Sequence, residues 1–182
     1  AMRLHGVDAR LLDQAALREM LPFMDYDNAR FPIMGGLLQP RGGTVRHDAV
    51  AWGFARGADN FGVDIIQNCE MTGVRREGER IVGVETPKGY ISCDKLALCA
   101  AGHSSVVAEM AGLKLPIESH VLQAFVSEGL KPFIDTVVTF GAGHFYVSQS
   151  DKGGLVFGGD IDGYNSYARR GNLATVEHVI EA

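Results

Sequence analysis

Residues 41–74 read RGGTVRHDAVAWGFARGADNFGVDIIQNCEMTGV, and this stretch decides the fold. From His47 to Phe61 the pattern is helical. His47, Val50, Ala51, Phe54, Ala58 and Phe61 recur at spacings of three, four and seven, which gathers them on one face. Gly62 stands where a helix ends in a left-handed residue. Val63 to Gln67 then reads as a short apolar strand, so a helix feeds a strand through a tight link. From Glu70 to Leu98 the period changes to that of strands. MTGVRR, IVGVET and ISCDKLALC alternate with EGER and PKGY, a β-meander with turns at Gly78 and Gly89. Its last segment, Lys95 to Cys99, is continuously apolar and reads as a buried strand. It runs through AAGHSS into a helix of about ten residues, Ser104 to Ala111.

The flanks extend this pattern. Residues 7–21 carry helix formers, with Leu11, Leu12, Ala15, Ala16 and Leu17 in helical spacing and Pro22 as a stop. GGLLQPRGG, residues 35–43, reads as a short strand between glycines. After Pro116 the texture is that of longer antiparallel strands: His120 to Glu128, Asp135 to Phe140, His144 to Ser148 and Leu155 to Gly158. A final helix starts near Asn172 and runs to Ala182. Ala1 reads as a cloning remnant, and the chain reads as a piece of a larger protein. The fold class is α+β, a mixed region with a β-meander followed by an antiparallel-sheet region.

Composition narrows the function. The 182 residues are 46% hydrophobic and 21% charged, which excludes global disorder. A chain of this length buries roughly 70% of its unfolded surface, enough for a core. The net charge of −5, from 17 basic and 22 acidic side chains, argues against nucleic acid as a partner. No apolar run approaches the roughly 18 residues of a membrane helix, and no secretory leader is visible. A cytoplasmic protein is expected. Cys69, Cys93 and Cys99 are odd in number, show no CxxC spacing and read as buried, reduced thiols. The 23 glycines follow no fixed period and point to tight turns and close backbone contacts. His5, His103, His120 and His178 show no metal spacing. Arg75 and Arg76 flank a hairpin turn and read as solvated.

Two stretches could carry chemistry. In ALCAAGHS, residues 97–104, a strand ends in small residues and Gly and opens a helix, a turn that lets a ligand approach the backbone. Taken alone, it reads first as a tight strand-to-helix connection. The second stretch is RGGTVRHDAVAWGFARGAD, residues 41–59. It resembles the glycine oxidase and D-amino-acid oxidase family of FAD-dependent oxidoreductases, and within that family the β subunits of heterotetrameric sarcosine oxidases. SHVLQAFVSEGLKP, YVSQSDKG and IDGYN are similar to the same group, and the resemblance covers essentially the whole chain. The family's GxGxxG turn does not occur in these residues.

The resemblance implies a function and a set of sites. Residues 41–115 would be part of the FAD-binding domain, lacking its N-terminal βαβ unit. Residues 1–40 and 116–182 would be parts of the antiparallel substrate domain. The implied reaction is oxidative demethylation of sarcosine to glycine, with the one-carbon unit passed to tetrahydrofolate or released as formaldehyde. Electrons pass from FAD to FMN and on to oxygen, giving hydrogen peroxide. The α, γ and δ subunits would be partners.

His47 matches the residue that carries FMN through a ring nitrogen, and a helix start, where the macrodipole disfavours imidazolium, suits the neutral imidazole such a bond needs. Met71 matches the position whose main chain meets adenine of FAD, and Ala100, Ala101 and Gly102 match the turn beside it. Tyr146 and Asp160 are the substrate-side candidates, with His144 and Lys152 behind them. Two alternatives remain at this point. The chain could come from another FAD-dependent amine or amino-acid oxidase or dehydrogenase without FMN on His47, or it could be a catalytically silent interaction module.

Overall fold

A computed structural model describes residues 2–29, 31–141 and 144–182 of the chain; Ala1 lies outside the described residues. The architecture is α+β, as expected, with three sheets among the described residues. The chain forms two compact units. One comprises residues 1–45, 125–139 and 146–157, and the other residues 46–124, 140–145 and 158–182.

The first unit opens with strand β1 (Arg10–Asp13), helix α1 (Gln14–Met20) and strand β2 (Gly35–Leu38). The helix expected over 7–21 is therefore shorter, because its first half pairs as a strand. Arg10 lies opposite Leu38 and Asp13 opposite Gly35. Asp13 ends the strand and starts the helix, its Oδ1 accepting from the Ala16 amide at 2.9 Å, an N-cap. Glycine is required at the pairing, since a Cβ on Gly35 would stand 2.6 Å from the Leu12 carbonyl oxygen. Behind this hairpin Leu17, Leu21 and Tyr26 form a small core, joined by Leu12, Met20, Met24, Ile33 and Val138. The Tyr26 hydroxyl donates to the carbonyls of Leu17 and Leu21, at 2.8 and 3.1 Å, and so satisfies the open end of α1.

Gln149 ties the loop at 130–134 into this unit. Its Oε1 accepts from the amides of Phe133 and Ile134 at 2.8 and 3.2 Å, and its Nε2 donates to the carbonyls of Lys131 and Gly153 at 3.1 and 2.9 Å. Gln149→Leu keeps the volume and removes every one of these bonds. It is expected to destabilise the intact protein by about 2–3 kcal/mol, since each bonded backbone group loses its partner. Urea unfolding of wild type and variant reads this difference.

In the second unit helix α2 (His47–Asn60) follows the sequence expectation, and Gly62 ends it at φ +79°. The meander is also as expected. Strands β3 (Gly73–Glu77), β4 (Arg80–Thr86) and β5 (Gly89–Ser92) are ordered β3–β4–β5, with a bulge between Arg75 and Arg76. Both arginines are exposed, as expected, and each also has a partner: Arg75 pairs with Glu85 at 2.6 Å, and Arg76 donates to the Ala111 carbonyl at 3.2 Å. Helix α3 (Ser104–Met110) and helix α4 (Leu173–Glu181) stand where they were expected. The other strands among the described residues have residues in both units: β6 (Leu122–Gly129), β7 (Val138–Phe140), β8 (Phe145–Gln149) and β9 (Gly154–Ile161), ordered β6–β9–β8–β7.

Three expectations fail in one related way. Residues 63–67 and 95–99 are not strands, and 95–99 is not buried. The Cys69–Met71 stretch is likewise unpaired backbone. A strand exists only through its ladder, and none of the described residues offers these segments one. The cysteines follow: Cys69 and Cys93 are half-buried, Cys99 is exposed, and all three are free. Helix α2 shows the same feature, since it buries no residue; Trp52 is 58%, Phe54 79% and Phe61 90% exposed.

Candidate functional site

All the candidate cofactor residues lie in the second unit. His47 is the first residue of α2 and is exposed. Arg46 before it is the N-cap and makes no side-chain capping bond. Asp48 takes that role in part, its Oδ1 accepting from the Ala49 amide at 2.9 Å while Oδ2 meets Arg46 at 3.4 Å. The Ala49 amide, then Arg46, holds the Asp48 carboxyl below the usual carboxylate range. On the flank of α2 away from Phe54, residues Asp48, Ala49, Trp52, Gly53 and Arg56 line an open hollow of about 400 Å³.

Met71 is half-buried and lies two residues before the start of β3. The chain is fixed just after it, where both the amide and the hydroxyl of Thr72 donate to the Glu85 carbonyl, at 2.8 and 3.1 Å. Ala100, Ala101 and Gly102 form one turn, with a 3-10 segment from Ala101 to His103 leading into α3. Ala101 has φ +45°, a conformation that costs an L-residue energy and marks the turn as constrained. The Ser119 hydroxyl donates to the Gly102 carbonyl, and the next residue, His103, stacks on Tyr167 with ring centroids 4.8 Å apart. The donor chemistry fits a flavin. A ring nitrogen of an exposed imidazole can bond the 8α methyl carbon of an isoalloxazine, and a turn bearing no side chain beyond a methyl group lets a ligand approach its backbone.

Tyr146 lies in the first unit, half-buried on β8. Lys152 is exposed in the turn between β8 and β9. Asp160 lies in the second unit near the end of β9, with φ +57°. Its Oδ1 accepts from the Ile161 amide at 2.8 Å and its Oδ2 meets Nδ1 of His178 at 2.9 Å. The Ile161 amide, followed by His178, lowers the Asp160 pKa, against a smaller opposing effect of burial. His144 adds a weaker pull in the same direction.

Sequence reasoning missed the His178 partnership. The two residues are 18 positions apart on different elements, and no local pattern announces such a pair. It also missed Ser119, which holds the Ala100–Gly102 turn from 17 residues away. Among the described residues no group of three or more His, Cys, Asp or Glu side chains could hold a metal ion. No helix among them is long and apolar enough to cross a membrane.

Comparisons with known proteins agree with this architecture. Sarcosine oxidase subunit beta of Rhizobium meliloti (strain 1021) is 84% identical over all 182 residues, which span 44% of its length. Sarcosine oxidase subunit beta of Rhodobacter capsulatus is 52% identical, again over the whole chain and 44% of its own length. The chain thus spans less than half of these curated relatives. The crystal structure of L-proline dehydrogenase from P. horikoshii superimposes with a TM-score of 0.85 over 98% of this chain and 48% of that one, at 24% identity, which shows a shared fold. The profile of the DAO family, FAD dependent oxidoreductase, matches residues 1–182, and the chain belongs to that family.

Proposed function

We propose that this chain is part of the β subunit of a sarcosine oxidase. The reaction removes the N-methyl group of sarcosine to give glycine, with the one-carbon unit passed to tetrahydrofolate or released as formaldehyde, and hydrogen peroxide as the second product. One observation carries the reading: 84% identity over the full 182 residues with a protein named sarcosine oxidase subunit beta. The relatives' designation as a subunit supports assembly with others, which we assign as α, γ and δ subunits in the cytoplasm. Residues 41–115 are assigned to the FAD-binding domain, and residues 1–40 and 116–182 to the substrate domain.

The Met71 main chain and the Ala100–Gly102 turn would hold the ADP part of FAD. His47 would carry FMN on a ring nitrogen. When bound, the flavins supply the hydride acceptor and the electron route to oxygen. The protein's own residues bind and orient. An ionised Asp160 would attract a substrate ammonium, and Tyr146, in the other unit, is kept as a separate candidate donor to a substrate carboxylate. The exposed start of α2 leaves the His47 ring accessible for bond formation.

Two measurements test this. Sarcosine added anaerobically to the intact protein is expected to bleach its flavin. A flavin that stays oxidised with sarcosine but bleaches with another amine would reassign the substrate. The 182-residue chain by itself is expected to bind FAD weakly. It has no glycine-rich pyrophosphate turn, and its two extended apolar segments are unpaired. Submicromolar binding in a calorimeter would contradict the placement of the cofactor.

A further inference from the structure

The exit of β9 is held in a conformation that side chains avoid. Gly159 has φ +151°, Asp160 φ +57°, and His144 φ +48°. A Cβ on Gly159 would stand 1.8 Å from the His144 carbonyl oxygen, and the Asp160 amide donates to that same oxygen at 3.1 Å. Non-glycine residues stay in the left-handed region only where their surroundings over-determine them. Part of that surrounding is helix α4. Asn172 caps its start, accepting from the Ala174 amide at 3.1 Å, and also donates to Asp162 at 3.4 Å. His178 stands in its last turn, where the helix dipole favours a cation, and there it meets Asp160. Helix α4 is thus tied to residues 160–162 near both of its ends.

The hydrogen bond has a direction. An ionised carboxylate only accepts, so Nδ1 of His178 carries the proton and donates to Asp160 Oδ2. With Ile161 on Oδ1, both oxygens are engaged and the plane of the carboxylate is set.

We propose that His178 is a positioning residue, which fixes the direction of the Asp160 carboxylate from α4 and so sets how Asp160 meets the substrate amine. The second half of this rests on the substrate-side reading of Asp160 given above. The titratable groups facing Asp160 are His178 from α4 and His144 from the turn before β8. On α4 itself the acidic groups are Glu177 and Glu181.

Three forms of the intact protein test it: wild type, His178→Leu and His178→Asn. Asparagine places an amide N–H near the position of Nδ1, whereas leucine fills the space without a donor. Hydrogen exchange at residues 158–162 and 173–181 reads the tie itself. It is expected to speed up in His178→Leu and to stay near wild type in His178→Asn. Steady-state kinetics with sarcosine read the positioning. His178→Leu is expected to raise KM about tenfold with kcat changed less than about twofold, and His178→Asn to restore KM.

Wild-type exchange and KM in His178→Leu would overturn the proposal, as would an Asn variant that behaves like the Leu one. If the wild type leaves sarcosine unoxidised, the functional reading fails, and exchange still decides the tie.

Discussion

His47→Ala in the intact protein is expected to abolish acid-stable flavin while leaving the fold unchanged. His47 is the first residue of α2, exposed, at a helix start where the N-cap makes no side-chain bond. A residue so placed contributes at most about 1–2 kcal/mol as a cap. Alanine offers no ring nitrogen, so a flavin bonded through this imidazole cannot form. Bleaching of the non-covalent flavin by sarcosine is expected to persist, because Met71 and the Ala100–Gly102 turn are untouched. Turnover with oxygen is expected to fall sharply, since the proposed second flavin would be missing. Flavin remaining on the protein after acid precipitation of His47→Ala would move the linkage to another residue.

Gly159→Ala is expected to destabilise the intact protein by about 3 kcal/mol or more, through a positive φ and a backbone clash together. The added Cβ would meet the His144 carbonyl oxygen at 1.8 Å, and that oxygen cannot rotate away as a side chain could. The displacement would also break the Asp160 amide bond to the same carbonyl. Gly163→Ala is the control: a Cβ there has no neighbour within 4 Å, and its effect is expected to stay within about 0.5 kcal/mol. Urea midpoints of the two variants and wild type decide. A Gly159→Ala midpoint equal to that of wild type would show that the β9 exit is not pressed against His144.

The elements legible in the sequence were those whose stabilising contacts are local. Helix α2 ends at a glycine, and the β3–β4–β5 meander turns at Gly78 and Gly89, all at positive φ. The start of α4 near Asn172 was legible too, and in the structure Asn172 caps it. Periodicity and turn chemistry suffice there because the partners are a few residues away. The misread parts depend on distant partners. Leu11 and Leu12 sit in a helical pattern, yet β2, more than twenty residues on, recruits them as a strand. Residues 63–67 and 95–99 have the composition of buried strands, but composition does not supply the neighbouring strand a ladder needs. For the site, the family resemblance brought forward His47 and the Ala100–Gly102 turn; local reading alone gave a helix start and a small-residue turn. Asp160 was legible as a charge on a strand, but its left-handed backbone and its bond to His178 arise only where β9 meets α4.

Peptide mapping of the intact protein tests the flavin assignment most directly. Trypsin cleaves after Arg46 and Arg56, releasing HDAVAWGFAR, residues 47–56, with His47 at its first position. That peptide is expected to carry the mass of FMN and its yellow fluorescence, with fragmentation placing the addition on the histidine. An unmodified HDAVAWGFAR peptide, with the flavin wholly in the acid-soluble fraction or on another peptide, would contradict it.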